Sequence, residues 1–333
     1  MISVAPRGVP VEASYLRLYR SGELQQRVEQ ARALLTPCRV CPRRCGVDRL
    51  AGEPGICGTG AAALVASLHP HFGEEAPLVG QRGSGTIFFG SCNLLCCFCQ
   101  NHDISHRPPL AGARHGLLDD GVIEAAPGQI AAMMLELAAR GCHNINLVTP
   151  SHVVPQWLAA LPLAIAAGLR LPLVYNSGGY DALETLRLLD GVVDIYMPDF
   201  KFWDDAWARR LCGVDDYRAV ACAALREMQR QVGDLAIDAD GVARRGLLVR
   251  HLVMPNDVAG TAGVMRFLAE QISPHIYVNV MDQYRPCGSA RREPGIDRAI
   301  TGAEYRAALD AALRAGLQRL DDRVRPRRLP IPW

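Results

Sequence analysis

Cys92, Cys96 and Cys99 stand in the pattern C-x3-C-x2-C within Gly90-Ser-Cys-Asn-Leu-Leu-Cys-Cys-Phe-Cys-Gln100. Three thiolates on one short loop can hold three corners of a cubane [4Fe-4S] cluster. Such clusters normally take four cysteines, so a three-cysteine loop leaves one iron open to a small molecule. Cys97 offers a second register, C-x4-C-x-C. Adjacent cysteines cannot easily aim both thiolates at one cluster, so Cys96 is read as the ligand and Cys97 as a small apolar residue packed behind the loop. A zinc site on the same loop is the competing reading. Zinc prefers four protein ligands, and His102 is the nearest candidate for the fourth.

A second set precedes the first. Cys38, Cys41, Cys45 and Cys57 follow C-x2-C-x3-C-x11-C, framed by Pro42, Gly46 and the turn Gly52-Glu-Pro-Gly55. Four thiols gathered on a turn-rich segment point to a metal, either structural zinc or a second iron–sulfur cluster. Cys142, Cys212 and Cys222 are scattered and read as packing residues. Cys287, just beyond Tyr284-Arg-Pro286, is the exception, because it falls on the face where chemistry is expected.

The elements that position these residues begin near Gly85. Strand-like runs, Thr86–Phe89, Asn144–Val148, Leu171–Tyr175, Val193–Met197, Gly246–Val253 and Ile276–Val280, alternate with helix-like segments. The helical segments are Gln129–Ala139, Pro155–Ala167, Asp181–Leu189, Asp216–Val232, Thr261–Glu270 and Thr301–Ala315. Asp181 is placed for an N-cap, and Thr301-Gly-Ala-Glu304 for a capping box. Repeated strand–helix units imply a parallel sheet with helices outside. Six units suggest an open (β/α)6 barrel, with a flat doubly wound sheet as the alternative. Polar or glycine-rich residues cluster after each strand, where barrels place their chemistry. The division expected is residues 1–80 as a small cysteine-rich metal-binding extension, 81–320 as the α/β barrel and 321–333 as a basic tail.

Composition sets outer limits. The chain has 333 residues, 49% of them hydrophobic, and a formal charge of +2, so a large core is possible and neither nucleic acid nor an anionic membrane is implied as a partner. Twelve cysteines, clustered, without a secretory pattern at the N-terminus, read as metal-binding in a cytoplasmic protein.

The segment Gly85-Thr-Ile-Phe-Phe-Gly-Ser-Cys-Asn-Leu-Leu-Cys-Cys-Phe-Cys-Gln-Asn101 resembles the cluster loop of the radical S-adenosylmethionine (radical SAM) enzymes. Within them it is similar to the pyruvate formate-lyase activating enzymes and their uncharacterised relatives. Asp199-Phe-Lys201 resembles that family's D-x-K, whose residues contact the methionyl group of SAM. Val253-Met-Pro255 and Val280-Met-Asp-Gln-Tyr-Arg-Pro286 also look like its segments, and the resemblance spans roughly residues 38 to 315. It implies a partial radical SAM barrel and SAM chelated on the open iron through its amino and carboxylate groups. It also implies reductive cleavage to a 5′-deoxyadenosyl radical, and hydrogen abstraction from a substrate. A protein glycine is the inherited substrate. Another protein, peptide or small molecule is the second reading, and an iron–sulfur or zinc binding module the non-enzymatic one. The implied electron donor is a reduced flavodoxin or ferredoxin.

Further SAM-site residues are assigned by position. Thr149 ends the second strand, where the family carries a G-G-E-like segment; here the segment is Val148-Thr-Pro-Ser-His152. Asn176 and Ser177 end the third strand, or else form a simple turn with Gly178 and Gly179. Asp199 and Lys201 follow the fourth. His251 lies in the fifth, on the face opposite Arg250, where it either meets SAM or is a satisfied buried histidine.

Overall fold

The computed structural model describes residues 12–106 and 121–321. Its ten strands are β1 (Ala63–His71), β2 (Ser84–Phe89), β3 (Ile123–Ala125), β4 (Ile145–Val148), β5 (Leu173–Ser177), β6 (Ile195–Pro198), β7 (Ala236–Ile237), β8 (Ala243–Leu252), β9 (Tyr277–Met281) and β10 (Arg319–Leu320). They form one sheet in the order β10-β9-β8-β6-β5-β4-β2-β1-β3, with β7 paired to β8. The six strands expected from sequence, β2, β4, β5, β6, β8 and β9, run parallel to one another. Helices such as Pro127–Ala139, Val154–Ala166 and Tyr217–Val232 separate them in sequence, as a parallel sheet requires.

Residues 12–80 are not set apart as an extension. β1 pairs antiparallel with β2 and carries β3 on its far edge. The helix Tyr15–Ser21 buries Tyr15, Leu16 and Leu18 in the main core, and Tyr15 Oη donates to the Leu171 carbonyl at 2.8 Å. The helix Glu23–Ala33 lies against Val154–Ala166. These segments have apolar faces too large to leave in water, so they take outer-helix positions on the sheet. The basic tail expected over 321–333 lies outside the described residues, apart from Asp321.

Period-two alternation gives the sheet two different faces. Ile87, Leu147, Tyr175, Tyr196, Leu247 and Val249 point into the main core beneath the helices. Val174, Ile195, Met197 and Leu248 point to the other face, where Leu78, from the helical turn Ala76–Val79, packs on them. Burying Leu78 contributes about 2 kcal/mol. It also seals the early half of that face, leaving the C-terminal half free to form a cavity.

The expected helices are present with shifted ends, the first starting earlier, at Pro127, and the Thr301/Glu304 capping box forms. Asp181 is not an N-cap: Ala182 occupies that place, and the Asp181 carboxylate is buried, accepting from Tyr175 Oη at 2.8 Å and Ser177 Oγ at 2.6 Å. A helix not foreseen, Asp205–Cys212, is capped by Asp204 and stopped by Gly213 at φ 63°. No described helix is long and apolar enough to cross a membrane.

Candidate active site

A cavity of about 330 Å³ opens at the C-terminal ends of the parallel strands. Cys92, Cys96 and Cys99 lie on its wall, and Cys97 does not. Their loop follows β2 and turns sharply, with Ser91 at φ 68° and Leu95 at φ 52°. Left-handed backbone at non-glycine residues is costly and clusters at functional sites. Cys97 faces away, toward the segment after Pro286: its carbonyl accepts from the Ser289 N–H at 3.0 Å and the Ala290 N–H at 3.3 Å. Cys287, expected on the active face, belongs to that outer segment and is off the wall.

Each of the three wall sulfurs accepts at least one hydrogen bond. The Leu94 N–H donates to Cys92 Sγ at 3.3 Å, the Cys212 thiol to Cys96 Sγ at 3.3 Å, and Ser105 Oγ to Cys99 Sγ at 3.3 Å. Burial pushes the Cys92 thiol up to about 12 and raises Cys99. The neighbouring Cys212 thiol, followed by burial, pushes Cys96 well up. The metal-free loop therefore holds neutral thiols, and loading it must release protons.

Opposite the thiols lies a charged network. Lys201 Nζ sits 2.5 Å from Asp199 Oδ2, Arg250 Nε 2.8 Å from Asp199 Oδ1, and Arg250 Nη2 2.7 Å from Asn176 Oδ1. Burial would raise Asp199, but the charges of Arg250 and Lys201 outweigh it and hold the carboxyl below its ordinary value. Burial would lower Lys201, and the Asp199 carboxylate reverses that, keeping the ammonium charged. Gly179, at φ 74°, permits the close approach of the β5 loop, since a Cβ there would stand 2.1 Å from the Asp199 carbonyl oxygen.

Thr149, Asn176, Ser177, Asp199 and Lys201 all line the cavity with the three cysteines. Thr149 holds φ 57°, which a β-branched residue adopts only under constraint, and its N–H donates to the Asn176 carbonyl at 2.8 Å. The Ser177 hydroxyl is committed to Asp181. His251 is not on the wall. Its Nδ1 donates to the Phe200 carbonyl at 2.7 Å and its Nε2 accepts from Thr261 Oγ1 at 3.0 Å, fully buried under the helices. Alternation along β8 turns Arg250 and Leu252 to the cavity instead.

Sequence reasoning missed Arg250, Glu74, Glu75, Asn279, Ser105 and the hydrogen-bonding role of Cys212. Arg250 carried a signal: a charge at the end of a core strand needs a buried partner, and Asp199 closes the neighbouring strand.

Two arginines flanking Cys45 tie the N-terminal thiol loop to this site. Arg43 donates to the carbonyls of Asn93 (2.8 Å), Leu94 (3.3 Å), Cys212 (2.8 Å) and Gly213 (2.5 Å). Arg49, 1% exposed, donates to the His152 carbonyl at 2.8 Å, and His152 Nε2 donates to the Gly90 carbonyl at 3.0 Å. Within the loop, the Cys45 and Cys57 sulfurs flank Gly55, at 3.2 and 3.5 Å from where its Cβ would be. Burial pushes Cys41 up to about 12, and Cys57, Cys38 and Cys45 all lie close enough to add to the shift.

Fold and site thus define an α/β protein with a parallel-rich sheet and a three-thiol cavity at the strand ends. No protein-family model matches the chain. It is 32% identical over 300 residues to the uncharacterized protein MJ0674 of Methanocaldococcus jannaschii, covering 90% of this chain and 81% of that one, and it belongs to the same family. The crystal structure of methylornithine synthase (PylB) resembles it with a TM-score of 0.41 at 15% identity, over 68% of this chain and 60% of that chain.

Proposed function

We propose that this chain is a radical SAM enzyme, with a [4Fe-4S] cluster on Cys92, Cys96 and Cys99 and SAM in the adjoining cavity. The observation that carries the reading is the set of three wall sulfurs, each with its own hydrogen-bond donor, facing the Asp199–Lys201–Arg250 network. Among the described residues, no three His, Cys, Asp or Glu side chains converge on a point that would hold a single metal ion. A cubane takes one thiolate per iron at separate corners, so thiols spread along a wall fit it. When bound, the cluster supplies the electron that cleaves the SAM sulfonium and, through the nucleoside released, the abstraction of a substrate hydrogen.

The chain's own residues do the rest. Leu94 and Ser105 donate to the Cys92 and Cys99 sulfurs, which favours their thiolates, and with Cys212 beside Cys96 they would tune the potential of the cluster. Lys201 favours the thiolates of Cys96 and Cys99 by its charge. Asp199 is positioned by its two cations to accept hydrogen bonds from a bound SAM, in keeping with the D-x-K resemblance. The sheet is read as a partial barrel, because the loop after β1 reaches β8 and β9 at the far side: Glu74 lies 3.5 Å from Arg250, and Asn279 donates to Glu75 at 2.7 Å.

The finer reading, activation of a protein glycine with electrons from a reduced flavodoxin or ferredoxin in the cytoplasm, rests on the sequence resemblance. The four N-terminal thiols also converge on no single-ion site among the described residues, so a second metal site there, zinc or iron–sulfur, rests on their spacing in the sequence and their proximity around Gly55. The test is anaerobic reconstitution with iron and sulfide, then dithionite and SAM. Wild type forms 5′-deoxyadenosine; Cys92→Ala, Cys96→Ala and Cys99→Ala each abolish it, and Cys97→Ala retains it. Intact SAM in the wild-type reaction, or an inactive Cys97→Ala beside an active Cys96→Ala, overturns the assignment.

A further inference from the structure

One carboxylate oxygen beside the cavity has nothing to bind. Glu75 is 4% exposed and lies on the wall. Its Oε1 accepts from Asn279 Nδ2 at 2.7 Å, whereas its Oε2 is buried with no hydrogen-bond partner among the described residues. A buried polar atom left unmet costs about 1–3 kcal/mol, and more when charged. On a residue that lines a cavity, such an atom marks the place of a ligand group.

The charges on the wall say what that group is. Three carboxylates, Glu74, Glu75 and Asp199, line the wall with two cations, Lys201 and Arg250. Both cations are already engaged: Lys201 with Asp199, and Arg250 with Asp199, Asn176 and Glu74. Burial, only partly offset by the Arg250 charge, raises Glu75 above the ordinary carboxylate range, as expected for an acid short of a counter-ion.

The missing partner must carry a positive charge and an N–H donor. A sulfonium has the charge and no donor. The amino group of SAM, in the function proposed above, would bind the open iron as a neutral amine and so bring no ammonium charge. We infer that Glu75 receives a protonated amine or guanidinium of the substrate, so that the enzyme acts on a cationic nitrogen compound or side chain. The inference rests on the proposed function for the place of SAM. It separates the two substrate readings, because a glycine within a polypeptide backbone offers no such charge.

The test measures binding of agmatine and n-butylammonium, with neutral 1-butanol as control, to reconstituted SAM-loaded protein without reductant. Wild type, Glu75→Gln and Glu75→Asp are compared. Glutamine keeps an acceptor for Asn279 and removes the charge. The expected result is that the cations bind wild type and bind Glu75→Gln roughly thirtyfold more weakly or worse, the loss typical of a buried charge pair deprived of one partner. Glu75→Asp, which keeps the charge, retains most of the affinity and serves if Glu75→Gln does not fold. Binding of 1-butanol should not distinguish the variants. Equal cation binding by wild type and Glu75→Gln, or none by wild type, overturns the inference. So does a Glu75→Gln defect confined to SAM itself, which would assign the carboxylate to the cofactor. If wild type binds no SAM, the proposed function falls, and the cation probes on unloaded protein still decide Glu75.

Discussion

The two cysteine loops are built for opposite ends. The loop at 92–99 shows its sulfurs to a cavity, gives each a hydrogen-bond donor and faces them with fixed charge. The loop at 38–57 puts no sulfur on that cavity: Cys38, Cys41 and Cys57 are buried, and its polar reach goes outward through Arg43 and Arg49 to hold the other loop and its neighbour His152. The difference teaches that the number of thiols is a weaker guide to role than what surrounds them. Three thiols on a wall leave room for a reacting molecule. The other four thiols line no part of it, and their loop braces the site through Arg43 and Arg49.

This contrast can be broken at several points. The largest effect belongs to the cysteines themselves. A single alanine at Cys41 should lower the melting temperature while leaving some 5′-deoxyadenosine formation in the molecules that stay folded, unlike the complete loss expected at Cys96. Parallel melting and product assays separate the two loops.

Next comes pH. Burial pushes His152 down to about 4 from 6.5, so the folded state holds it neutral. A base with a depressed folded value contributes stability that is complete above 6.5 and lost as pH falls from there toward 4. The loss approaches about 3 kcal/mol at pH 4. Denaturant midpoints across that window should show it, and His152→Gln should flatten the dependence.

Arg43→Met removes the brace of four carbonyl contacts and keeps most of the apolar stem. It should cost about 2 kcal/mol and speed iron loss from the cavity cluster on chelator challenge. If iron is retained as in wild type, the brace is only structural and the comparison loses its link.

The smallest effect is sharpest in kind. Cys212→Ala should cost about 1 kcal/mol of stability but shift the cluster's reduction potential downward, since a hydrogen bond to a ligand sulfur favours the more negative, reduced state. Cys212→Ser should restore much of the shift. A redox titration followed by electron paramagnetic resonance reads both.

Much of the fold was legible because it rests on local signals. The six parallel strands announce themselves as apolar runs, and Thr301 with Glu304 marks its helix by capping chemistry alone. The loop at 92–99 was legible by spacing. What stayed hidden depends on distance in sequence. Asp181 looks like a helix cap until Tyr175 and Ser177 are brought to it by the strand before. Cys212 reads as packing until its helix, ended by Gly213, delivers it to Cys96. Glu75 sits in an unremarkable turn and meets Asn279, 204 positions later, only once the chain has folded. His251 and Arg250 compete for one face of one strand, and the choice is made by Asp199 on the adjacent strand.

The central claim is a cluster held at three corners with its fourth iron open to SAM. Mössbauer spectra of iron-57-reconstituted protein, recorded without and with SAM, address it directly. The account predicts one iron of the four changing its signature when SAM is added, and that change disappearing in Cys96→Ala but not in Cys97→Ala. Zinc in place of iron at this loop, or four irons indifferent to SAM, would contradict it.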